Sequence, residues 1–110
     1  MDMDRLVKAV KRHSGMTPDE IVQAGEHGAD AGWPGFTYTV DTNRFYDRHA
    51  DLIWELLAEQ ADEFGEKHPL ALIAKFNSAH SVDTDHGFKN LLAWYALEEA
   101  GHYLAAEEEA

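Results

Sequence analysis

The chain has 110 residues, no cysteine, and 9 Lys+Arg against 21 Asp+Glu, a formal net charge of −12. That length predicts one domain with a single core, which a hydrophobic content of 45% can fill. The lack of cysteine excludes disulfides, thiolate nucleophiles and sulfur-ligated zinc, and the acidic surplus disfavours nucleic acid and membranes while favouring basic protein surfaces.

Residues 1–15 hold Arg5, Lys8, Lys11 and Arg12 against Asp2 and Asp4, a local balance of +2, so the remainder carries −14. Met3, Leu6, Val7 and Val10 follow helical spacing, and Gly15 ends this basic first helix. It lacks the apolar run of a signal peptide, and a cytoplasmic setting is expected. Four cations without interleaved aromatics make a weak nucleic-acid footprint, so the helix is expected to dock on the acidic body by charge attraction.

Thr17-Pro18-Asp19-Glu20 predicts the start of a second helix, with Thr17 as cap, Pro18 in the first turn and Glu20 closing a capping box. It runs through Ile21, Val22 and Ala24 and dissolves at Gly28, Gly32, Pro34 and Gly35. The glycines, Gly25 among them, show no phosphate-loop signature, and close helix packing and a tight turn explain them. Phe36-Thr37-Tyr38-Thr39-Val40 alternates apolar and hydroxyl residues. With no second strand to pair with, about 36–40 is expected to be an extended connector laid over the helices.

Asp41-Thr42 is expected to cap the longest helix, about 43–64, which Gly65 stops. Its apolar stripe is Tyr46, Ala50, Ile53, Leu57, Ala61 and Phe64. Nearly opposite lie Asp51, Glu55, Glu59, Asp62 and Glu66, at steps of 4, 4, 3 and 4 that keep them on one face. Like charges at that spacing cost a few tenths of a kcal/mol per pair. Only Arg48 stands near, so the charge is expected to be used. Carboxylates four residues apart repeat about every 6 Å along the axis, a row able to stand in for phosphates. Leu52 falls about 120° from the centre of the apolar stripe, toward the acids, and Trp54 falls at the opposite boundary. Leu52 and Leu56 either pack under the 36–40 connector or, with Trp54, anchor an acidic interface.

His68-Pro69 precedes a short apolar helix over 70–76 and a polar loop over 77–85. The last helix, about 86–106, carries Phe88, Leu91, Leu92, Trp94, Tyr95, Leu97, Tyr103 and Leu104 on most sides, which predicts the central helix. Glu107-Glu108-Glu109 sits badly at the negative end of the helix dipole, so 107–110 is expected to fray. The fold class is all-α, a compact bundle of four to five helices in one acidic domain over 1–110.

Candidate metal ligands are few. His80, Asp83, Asp85 and His86 crowd one loop and could hold a divalent ion, but Thr84 or Asp85 capping a helix beside exposed histidines explains them as well. Glu99-Ala100-Gly101-His102 is an E-x-x-H spacing, whereas a di-metal carboxylate bundle needs two such motifs and two further Glu. A buried, hydrogen-bonded Glu99–His102 pair is expected instead. Ser14, Ser78 and Ser81 sit in no nucleophile elbow. No catalytic residue and no cofactor is expected.

Gly32-Trp33-Pro34-Gly35-Phe36-Thr37-Tyr38 and Phe88-Lys89-Asn90-Leu91-Leu92-Ala93-Trp94-Tyr95-Ala96-Leu97-Glu98-Glu99, with the helix between them, resemble small uncharacterised proteins of phage and plasmid accessory regions. The resemblance covers about 25–104 and carries over no catalytic residue. It implies the context of acidic inhibitors of host nucleic-acid-binding defences, of the anti-CRISPR or antirestriction kind. Three readings follow. The favoured one is an interaction module whose Asp51, Leu52, Trp54, Glu55, Glu59, Asp62 and Glu66 meet a basic surface on a nucleic-acid-binding protein. The others are a metal-dependent enzyme using the loop histidines, or Glu99 and His102, and a structural helical domain without ligand.

Overall fold

The computed structural model describes residues 2–27, 33–64 and 84–109, with side chains over 2–27, 33–59 and 89–108. Four helices occur among the described residues and no strand: α1 (Met3–Ser14), α2 (Pro18–His27), α3 (Thr39–Phe64) and α4 (Thr84–Glu109). The all-α reading holds. The short helix expected over 70–76, the stop at Gly65 and most of the following loop lie outside the described residues.

α1 begins where the Asp2 carboxylate accepts the Asp4 N–H at 3.0 Å. It ends at Gly15, whose φ of +73° puts its N–H on the Lys11 carbonyl at 2.7 Å. The helix docks by burying Leu6, Val7 and Val10. This corrects the expected docking by charge. Among the described residues, none of Arg5, Lys8, Lys11 and Arg12 has a carboxylate within 4.0 Å.

The capping box of α2 forms as its spacing predicts. Thr17 Oγ1 accepts the Glu20 N–H at 3.2 Å, and Glu20 Oε1 accepts the Thr17 N–H at 3.1 Å. Ile21 and Ala24 bury themselves in the core, and Gly25 meets Gly101 of α4. A Cβ on Gly101 would lie 2.6 Å from the Ile21 carbonyl oxygen, so α2 and α4 cross with backbone against backbone.

The segment before α3 differs from the expected extended connector. Trp33-Pro34-Gly35-Phe36 is a β-turn closed by the Phe36 N–H on the Trp33 carbonyl at 3.0 Å, with Gly35 at φ +74°. Pro then Gly at the two central positions suits a type II turn. It drops Phe36 into the core instead of along the surface. Helix begins at Thr39, four residues before the expected start. Asp41 is therefore inside the first turn, reaching back to accept the Tyr38 N–H at 3.4 Å, while the Asp41 and Thr42 N–H groups find the Tyr38 carbonyl. Alternating residues over so short a stretch lost to this local capping.

α4 is the central helix, packing most extensively on α2, then on α3, and also on α1. Leu92, Ala93, Ala96, Leu97 and Ala100 are fully buried, and the small residues among them let the neighbours approach closely. Its helical conformation continues through Glu109, past the expected end near residue 106. Thr42, also fully buried, donates its hydroxyl to the Asn90 side-chain oxygen at 2.7 Å and ties α3 to α4. α3 itself is broken at His49, whose φ of −128° and ψ of 25° are not helical. Among the described residues, no helix is long and apolar enough to cross a membrane.

Candidate functional site

From Asp51 onward α3 is regular, and 100° per residue sorts its side chains. Ile53 and Leu57 point into the core. Asp51, Glu55 and Glu59 are exposed, and Trp54 stands beside them at 39% exposure. Leu52 departs from the expected interface: it is 9% exposed and belongs to the core cluster, as does Leu56 at 2%. The reason is the neighbour that covers it. Leu52 packs toward α1, sharing a hollow with Ala9, and belongs with Leu56 to the core cluster that also holds Phe36. Asp62 lies on the α3 backbone, but its side chain, like all of Glu66, is outside the described residues. The structure thus joins Trp54, Asp51, Glu55 and Glu59 on one exposed arc and removes Leu52 from it.

Trp54 is held in place. Its indole N–H donates to the Tyr46 hydroxyl at 3.0 Å, two turns earlier on α3. The Lys89 ammonium sits 5.8 Å from the Tyr46 ring centre and donates to Asp47 at 2.7 Å. A large aromatic fixed in this way loses little side-chain freedom when a partner covers it. Among the described residues, neither Asp51 nor Glu55 has a cation within 4.0 Å.

The expected Glu99–His102 pair is neither buried nor hydrogen-bonded. His102 is exposed, Glu99 is half-buried, and His102 Nδ1 lies 3.9 Å from Glu99 Oε1, beyond hydrogen-bond length. Residues i and i+3 share a side of α4, but the core-facing strip runs through Ala96, Ala100 and Gly101, one step away. Burial pushes the Glu99 carboxyl up, against the pull of His102, and Glu98 adds to the rise. Among the described residues, no three His, Asp or Glu side chains gather as metal ligands. His80 and Asp83, and the His86 side chain, lie outside those residues.

Sequence reasoning missed a histidine–aromatic cluster. His13 packs edge-on against Phe36 and Phe45 at 5.5 and 5.3 Å, and Phe45 meets His49 at 5.0 Å. His13 Nε2 lies 3.0 Å from both the Gly35 and Asp41 carbonyls, so its N–H is on Nε2 and is shared between two acceptors. Phe36 also reaches Trp94 at 5.9 Å, which brings together the two stretches that carry the resemblance described above. They meet as core packing. The one signal in the sequence was the Trp-Pro-Gly-Phe turn, which says where the chain reverses and not what it delivers.

Residues 7–110 match the family described as a domain of unknown function (DUF7222). No curated protein and no solved structure matches the chain.

Proposed function

We propose, for a chain that belongs to this family of unknown function (DUF7222), a role as a small interaction module that occupies a basic, nucleic-acid-binding surface on another protein. The observation that carries the reading is the exposed arc of α3, with Trp54 braced on Tyr46 beside Asp51, Glu55 and Glu59. The carboxylates stand in for phosphates, repeating about every 6 Å, and Trp54 supplies the apolar contact that charge alone lacks. The resemblance to accessory proteins of mobile elements supports a host defence protein as the partner, met in the cytoplasm.

Long-range attraction between such faces is screened within about 10 Å at 0.1 M salt, so association should weaken as salt rises. The test is a competition assay in which a basic DNA-binding protein of the host holds a fluorescent duplex. The wild type should release the duplex at low salt and lose potency at high salt. A Glu55→Lys/Glu59→Lys variant with an unchanged helical spectrum should release none. Equal potency of the two proteins would refute the acid face as the interface.

A further inference from the structure

A second surface carries the opposite charge. Between α1 and α3 lies a hollow of about 210 Å³ lined by Arg5, Lys8, Ala9, Arg12, His49 and Leu52. Arg5, Lys8 and Arg12 follow one another at steps of 3 and 4, so they share a face of α1 and span about 10 Å of its length. Among the described residues no carboxylate lines the hollow. Among the described residues none of the three cations has an acidic partner within 4.0 Å, in a chain with 21 Asp+Glu. Its floor is apolar, from Ala9 at 5% and Leu52 at 9% exposure. Its α3 wall is where the helix breaks at His49. Burial holds His49 below its ordinary value, followed by the charges of His13, Arg48 and Arg12. At neutral pH it therefore offers a neutral ring to the hollow.

We infer that this hollow binds a small phosphate ester, with the phosphate on Arg5, Lys8 and Arg12 and a compact apolar body against Ala9 and Leu52. Two guanidinium groups can each present a fork of donors to a tetrahedral oxyanion, and the ammonium adds a third charge. Three cations exceed what a single carboxylate neutralises. The volume of about 210 Å³ is many times the ~10–15 Å³ that one water needs on the same measure, which leaves room for an apolar part beside the phosphate. A polyanion such as nucleic acid fits worse, because each added phosphate meets the repulsion of a −12 surface while a small ester meets it once. This site lies apart from the acid arc and does not depend on it.

Isothermal titration of the whole protein with phenyl phosphate, inorganic phosphate and phenol tests the inference. Phenyl phosphate should bind one to one and roughly tenfold tighter than inorganic phosphate, from burial of the ring, while phenol alone shows no saturation. Arg12→Gln should weaken phenyl phosphate by about tenfold or more, the worth of a charged hydrogen bond. Lys11→Gln removes the same charge from a residue outside the hollow and should leave affinity unchanged. The inference is overturned if phenyl phosphate shows no saturable binding, or if Lys11→Gln weakens it as much as Arg12→Gln. Tighter binding of a single-stranded oligonucleotide or anionic vesicles through the same residues would also overturn it, in favour of a polyanion surface.

Discussion

Replacing Gly101 with alanine puts a methyl group where α2 and α4 touch. The added Cβ would stand 2.6 Å from the Ile21 carbonyl oxygen and 3.0 Å from the Gly25 Cα, against 3.4–4 Å for ordinary contact. Both neighbours are backbone, so no side chain can swing aside, and the helices must part by several tenths of an ångström. Overpacking of this kind costs about 1–3 kcal/mol. Alanine's higher helix propensity returns up to about 1 kcal/mol, and the high end of the overpacking range applies because the obstacle is rigid. A net loss of roughly 2 kcal/mol lowers the melting temperature by about 10 °C in a domain of this size. In urea, with an m value of about 1–3 kcal/mol/M, the midpoint should fall by roughly 1 M. Circular dichroism at the helical band reads both. Gly25→Ala meets 3.1 and 3.2 Å instead and should cost less. A Gly101→Ala protein as stable as wild type, or less perturbed than Gly25→Ala, would refute close backbone contact as what sets this crossing.

Thr42→Val keeps the shape of the buried side chain but leaves the Asn90 amide without its hydroxyl partner, and should cost about 1–3 kcal/mol in urea unfolding. The Glu99 carboxyl is pushed above 4.5 in the fold, so the folded state holds its proton more tightly and loses stability as pH rises through that value. Glu99→Gln should therefore raise the melting temperature at pH 7, a gain that shrinks below pH 4.5. His49 is held below 6.5, so the unfolded chain takes up its proton first and stability falls as pH drops below 6.5. His49→Gln should flatten that part of the melting-temperature profile while leaving the profile above pH 7 level.

The helices were legible wherever local chemistry and hydrophobic period agreed. Thr17 and Glu20 form the reciprocal bonds their spacing predicts, Gly15 closes α1, and the apolar surround of α4 marks it as central. Failure came where one signal had to choose between neighbours not yet placed. Leu52 lies on the acid side of the wheel, yet α1 covers it, and no period within α3 says where another helix will sit. The 36–40 alternation yielded to a Pro-Gly turn and a carboxylate three residues into the helix, both short-range contacts formed without a partner strand. The cationic row on α1 was visible in sequence, but charge balance suggested pairing. Only the packing of Leu6, Val7 and Val10 showed that docking needs no ion pair.

The break at His49 turns α3 into two helical rods end to end, over 39–48 and 50–64. A break of this kind gives each rod an end of its own, with the partial charge that a helix end carries. Arg48 closes the first rod at its negative end, and Asp51 opens the second at its positive end. Asp51 is therefore acidic for a reason the fold supplies by itself. Glu55 and Glu59 lie one and two turns beyond that terminus, outside the reach of its dipole. Reversing Glu55 to Lys therefore changes the charge of the face with little effect on the helix end, whereas reversing Asp51 changes both.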